Sequence, residues 1–340
     1  MADALLSPAV GLTMCAVSAA AIGVSVAKVN NDEFGEKKIP IMGVAGAMVF
    51  AGQMINFTIP ATGASGHIVG GILLAGLLGG VPAFLSISAV LAIQCLFFAD
   101  GGLLALGCNI FNMGVIPCLI VYPLIFRPLL KNGLGTKRLS AASLASSVAA
   151  LELGAFCVVL QTLLSGITVL PFGTFAALML PIHLVIGLVE GAVTSAVLAF
   201  VYKVRPEIIG SAQYGKRIGV FSMKKVLASL AVLTIICSSA LSLYASTNPD
   251  GLEWAAGKAM GKSSGAETEL EAAGGIYDGA ASLQGKTALL PDYAFVSDPD
   301  NAAGTSLSGV LGAAAAFMFA GAAGLIISKA KSRKRANSNV

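Results

Sequence analysis

Most of the groups able to do chemistry lie in two short polar patches set among apolar runs. The first, Thr62-Gly63-Ala64-Ser65-Gly66-His67, ends on one of only two histidines in the 340-residue chain. The second runs from Asp100-Gly101-Gly102 to Asn109-Ile110-Phe111-Asn112. Glycines beside His, Asp and Asn allow close backbone approach at an entropic cost, and buried polar groups need partners. Such patches therefore meet each other, a ligand, or both. His67 offers an imidazole donor suited to a late transition metal ion; on residue type alone a structural turn histidine accounts for it equally well. The free amine of Met1 is a further nitrogen donor once it has lost its proton. Glu152, Gln161, His183 and Glu190 interrupt later apolar runs, and the last two sit seven apart on one helix face. Ionisable groups there serve helix-packing hydrogen bonds, proton coupling or, for His183, metal ligation.

What must hold these groups is a bundle of membrane helices. Apolar residues make up 56% of the chain and charged residues 11%, which excludes an ordinary soluble domain. A span needs about 20 apolar residues to cross roughly 30 Å of hydrocarbon. Candidates are 8–27, 39–57, 67–79, 82–99, 109–126, 139–164, 174–202, 225–246 and 307–328. The third is short and reads as a tilted crossing or as a re-entrant piece. Basic residues favour a crossing: with nine spans, the groups at 28–38, 127–138, 203–225 and 329–335 all fall on one side. That leaves only Lys258, Lys262 and Lys286 on the other, in a long segment with nine acids. The positive-inside rule then places the amino terminus and loop 247–306 outside and the tail in the cytoplasm.

The expectation is an all-α polytopic protein of the cell membrane with about nine transmembrane helices, a seven-helix core plus a two-helix appended unit. The divisions are a core at 1–205, a cytoplasmic linker at 206–224, an appended unit at 225–328 with external acidic loop 247–306, and a basic tail at 329–340. Trp254, just past a span, anchors at the interface by default. Gly257–Gly285 reads as a mobile polar stretch. The amino terminus, 60–67 and 99–112 converge on the outer face.

Several classes drop out. No phosphate-binding loop, dinucleotide fingerprint or HExxH motif is present, so neither an enzyme nor an ATP-hydrolysing site is expected. The six cysteines lack CxxC spacing and indicate no thiolate metal site. A net charge of +4, carried in short loops, points to membrane orientation and to no nucleic-acid partner. A secondary transporter would carry inverted repeats, and none is visible. A structural membrane protein would need only packing glycines and no metal.

The chain resembles the substrate-binding membrane component of nickel or cobalt energy-coupling-factor transporters, the NikM/CbiM family. The motifs are Leu6-Ser7-Pro8, Thr62–His67 with Gly70-Gly71, Phe98–Gly107, Asn109–Gly114, and His183 through Glu190-Gly191. The remainder, with Pro249-Asp250-Gly251-Leu252-Glu253, resembles the NikN accessory component that the nickel type often carries fused. The resemblance implies a transported Ni2+ or Co2+, nickel slightly favoured, cobalt import serving cobalamin biosynthesis. It implies no catalytic residue, no cofactor, and partners in an energy-coupling transmembrane subunit and cytoplasmic ATPases. It implies a metal set of the terminal amine, a second-position histidine and the motif histidine, here Met1 and His67. Ala2 departs from this pattern; a start two residues upstream, reading Met-His ahead of Met1, would restore it. The ligand enters near Asp3, His67, Asn109 and Asn112, with Asp100 and Asn112 hydrogen-bonding the outer loops. His183, in another span about a hundred residues from His67, is expected to be dispensable for binding.

Overall fold

The computed structural model describes residues 1–28, 38–167, 170–215, 224–261, 274–298 and 301–337, with side chains described to residue 330. The readings made for 29–37, for 216–223 of the linker, for 262–273 of the external loop and for the tail beyond 337 lie outside the described residues. Within them the chain is helical, with one two-stranded hairpin. Six helices are long and apolar enough to cross a membrane. Five of them are α1 (Pro8–Lys28), α4 (Gly80–Phe98), α5 (Leu106–Leu129), α6 (Thr136–Ser165) and α7 (Phe172–Val204), the sixth being Ala302–Ala330 near the carboxyl terminus. Continuous apolar runs give these helices apolar surface on every side, as a lipid-facing bundle requires.

α2 (Lys38–Gln53) is shorter and almost wholly buried. An all-round apolar helix belongs in the middle of a bundle, and α2 lies there. The stretch 67–79, expected as a span, is helical only over α3 (Gly71–Leu78), and all eight residues are buried. Eight residues rise about 12 Å, well short of the hydrocarbon. Gly70 and Gly79, at φ 79° and 90°, cut the helix at both ends. Polar side chains from α2 make up the missing length. Gln53 Nε2 donates to Val69 O at 2.8 Å, and Lys38 Nζ donates to Leu78 O at 3.4 Å. α3 therefore runs antiparallel to α2 with its ends tied to both ends of that helix.

After α7, α8 (Pro206–Tyr214) occupies the start of the segment read as a linker. It is fastened to the core: Tyr122 Oη donates to Ala212 O, and Gln213 and Arg127 exchange hydrogen bonds through their carbonyls. The appended unit follows as α9 (Lys224–Ser239), α10 (Gly251–Ala259), α11 (Ile276–Thr287) and α12 (Ala302–Asn337). The described part of 257–285 thus holds the end of one helix and most of another. α12 packs against α2 through small residues. A Cβ on Gly312 would sit 1.9 Å from the Phe50 ring, and one on Gly46 would sit 3.2 Å from Ala320. Close approach of this kind is how helices associate in lipid, where no hydrophobic driving force separates helix from solvent.

Candidate metal centre

His67 follows an antiparallel hairpin in which β1 (Phe57–Ile59) pairs with β2 (Ala64–Gly66). Ala61 and Gly63 take positive φ, and the Thr62 hydroxyl closes the turn on Ile59 O at 2.8 Å. His67 Nδ1 lies 3.1 Å from Ile68 O. A carbonyl only accepts, so Nδ1 carries a proton, and in the neutral ring the lone pair is on Nε2. That tautomer presents Nε2 as a metal donor.

The amino terminus is brought in by the Asp100 patch. Gly102 N donates to Met1 O at 3.1 Å, and Ala105 N donates to Asp3 Oδ1 at 2.8 Å. A Cβ on Gly102 would lie 1.8 Å from Asp3 Oδ1, so glycine is required there. The Met1 amine then donates to Asn109 Oδ1 at 3.2 Å. Met1, Asp3 and the 100–109 segment form one unit, on which Tyr277 of α11 also closes by donating to Leu6 O at 2.7 Å.

These pieces meet around a cavity of about 120 Å³ whose polar lining includes Met1, His67, Asn109, His183, Glu190 and Asp250. Both residues expected as metal donors, Met1 and His67, line it. So does His183. Although distant in sequence, it comes close because α7 crosses directly beneath the hairpin: a Cβ on Gly66 would sit 2.5 Å from Ile186. His183 Nδ1 lies 2.8 Å from Met179 O, so in its neutral ring too the lone pair is on Nε2. Asn112 lines the cavity as well, but its partner is Gln161 of α6, in a reciprocal amide pair at 2.8 and 3.0 Å, and not an outer loop. Asp100 does meet a loop, accepting from Tyr293 Oη. Burial and the Asp100 charge hold that phenol well above its usual range.

The appended unit supplies the rest of the wall, which sequence reasoning missed. Ser65 N and Oγ donate to Pro249 O and Asn248 O, both at 2.8 Å. Asp250, Gly251 and Leu252 then enter the cavity lining. Asp250 caps α10, accepting from Glu253 N at 2.8 Å, while Glu253 reaches back to Asp250 N. The Asp250 carboxylate beside it, with burial second, raises Glu253 above the ordinary carboxylate range. The D-x-x-E spacing is a readable capping box, but nothing in it points to a distant cavity. Trp254 is not a free interfacial anchor; its Nε1 donates to Thr62 O at 2.9 Å. Among the described residues, no three His, Cys, Asp or Glu side chains cluster as a metal site.

Residues 1–208 match the family model for the cobalt uptake substrate-specific transmembrane region, CbiM. The chain belongs to the CbiM family. Residues 224–329 match the PDGLE domain, so the NikN-like reading of the appended unit holds. This CbiM-family chain is 28% identical over 340 residues to the fused nickel transport protein NikMN of Rhodobacter capsulatus, covering 92% of this chain and 93% of that protein. It is 32% identical over 177 residues to the cobalt transport protein CbiM of Sorangium cellulosum, covering 51% and 77%. A crystal structure of a transition metal transporter is similar at TM-score 0.53 and 29% identity, covering 62% of this chain and 97% of that one.

Proposed function

We propose that this protein captures nickel or cobalt ions as the substrate-binding membrane component of an energy-coupling-factor transporter. Met1 through its amine and His67 through Nε2 are the donors. What carries this is the meeting of a chain terminus and the Nε2 of a motif histidine in one small cavity. Amine and imidazole nitrogens suit divalent ions late in the first transition series. The relatives named for nickel and for cobalt transport support the cargo class, and the fused PDGLE unit inclines the choice to nickel. The core at 1–205 binds the ion, and the appended unit at 225–328 closes the cavity. Energy comes from a separate coupling subunit and cytoplasmic ATPases, since the chain carries no nucleotide motif. The cavity faces outward and the tail lies in the cytoplasm.

Cells producing the protein with these partners are expected to accumulate radiolabelled nickel and cobalt, and to stop when the ATPases are inactivated. Uptake that continues without ATP hydrolysis would move the protein to the secondary transporters.

A further inference from the structure

Glu190 is the one acid that is buried among the described residues, at 1% exposure, and no salt bridge reaches it there. Its partners are backbone amides. Val69 N donates to Oε2 at 2.6 Å and Gly70 N donates to Oε1 at 3.2 Å. The carbonyl of the same Val69 accepts from Gln53 Nε2 at 2.8 Å, and Gln53 Oε1 accepts from Gln94 Nε2 at 2.9 Å. The peptide units just past His67 are thus gripped from α7 on one side and from α2 on the other. The turn cannot drift outward either: Gly70 has φ 79°, and a Cβ there would sit 2.7 Å from Val49.

On the other flank of His67, Gly66 rests against Ile186. Ile186 and Glu190 are four apart on α7 and so share a face. One face of α7 therefore holds the chain immediately before and after the imidazole. His67 itself makes one hydrogen bond, to the adjacent Ile68 O. That bond fixes the tautomer but leaves the backbone free to move within the cavity.

We infer that Glu190 is the positioning residue of the metal-donor histidine. It sets where Nε2 of His67 stands relative to the Met1 amine, acting through Val69 and Gly70 and without ligating the ion. The inference rests on His67 being a donor. A carboxylate is needed because two N–H groups converge on it and both of its oxygens accept; a glutamine offers one acceptor and one donor group, so one amide loses its partner. Glu190 also lines the cavity.

The test uses nickel ions titrated into the purified full chain as wild type, His67→Ala and Glu190→Gln. Calorimetry, the visible absorption of bound nickel and metal-free thermal unfolding are read together. Groups that orient a metal-ligating histidine usually contribute about 10- to 100-fold in affinity, and Glu190→Gln is expected to lose that much and to shift the nickel spectrum. A merely structural residue would lower the melting temperature and leave the spectrum of bound nickel unchanged, which overturns the inference, as does wild-type affinity in Glu190→Gln. If wild type and His67→Ala bind nickel alike, the donor assignment has failed, and positioning falls with it. If instead His67→Ala alone loses binding, the donor stands and Glu190 does not position it. Should Glu190→Gln not fold, Gln53→Met loosens the same peptide from α2 and leaves the carboxylate intact. Weaker binding with a shifted spectrum there supports the inference, and unchanged binding overturns it.

Discussion

Two imidazoles in one cavity present the same nitrogen. His67 and His183 each donate Nδ1–H to a backbone carbonyl, at 3.1 and 2.8 Å, and each leaves Nε2 with a lone pair. Hydrogen-bonding the far nitrogen is how proteins orient a ligating histidine. The two rings differ in what holds them, since His67 sits on a hairpin turn joined to three other elements and His183 on a helix. The predicted order of effects follows from that. In nickel titrations, His67→Ala should abolish tight binding, because it removes one of the two imidazoles that line the cavity and no Cys there replaces it. His183→Ala should weaken binding by about tenfold, and equal affinity would show that its lone pair is unused. Adding Met-His ahead of Met1 should tighten binding, since it puts an imidazole beside the free amine and the ionisable amide, where Ala2 offers none. Affinity in every form should fall as pH drops, because protons compete for the same nitrogens.

Helix contacts set these positions, and the one that places His183 and Glu190 is the seam between α6 and α7. A Cβ on Gly187 would lie 2.9 Å from Val148 Cα, and one on Gly191 would lie 2.8 Å from Leu144 Cα. Ser195 Oγ donates to Ser140 Oγ at 2.7 Å along the same seam. Backbone atoms cannot yield as a side chain can, so Gly187→Ala is expected to cost about 1–3 kcal/mol by overpacking. Gly173 lies in the first turn of α7 with nothing within 4 Å of its would-be Cβ. The same change there should be neutral or stabilising by up to about 1 kcal/mol. Thermal unfolding of the two variants in detergent checks the contrast, and equal effects would refute it. The ends of α1, α4, α6 and α7 were legible to within three residues, because long apolar runs leave little choice in a membrane. The length of α3 was not, since two glycines cut a run that hydropathy counts as continuous. Nor was the docking of Asn248–Leu252 onto Ser65, a contact across more than 180 residues that no local pattern encodes. His67 was legible from its motif, whereas the place of His183 needed the crossing of α7 under the hairpin.

At the scale of the whole molecule, the helix ends sort into two sets. One set holds Met1, His67, Asn109 and Asp250 around the cavity. The other holds Lys38 on Leu78 O, Arg127 on Gln213 O and Tyr214 on Leu130 O. α5 connects them: Asn109 near its start binds the Met1 amine, and Arg127 near its end lies at the opposite set. It is π-helical over Phe111–Phe126 and, at 24 residues, long and apolar enough to cross a membrane. The set without the cavity includes the basic residues Lys38 and Arg127, so the positive-inside rule predicts that it faces the cytoplasm. Position 132 should then be cytoplasmic and position 297 external. Single cysteines at Asn132, Ser297 and Ser332, placed in a chain freed of its six native cysteines, test this with a membrane-impermeant thiol reagent on intact cells. Ser297→Cys is expected to label at once, and Asn132→Cys and Ser332→Cys only after permeabilisation. Labelling of all three from outside would break the orientation. Labelling of Asn132→Cys and Ser332→Cys but not Ser297→Cys would invert it, leaving the cavity to face the cytoplasm, where an importer could not load.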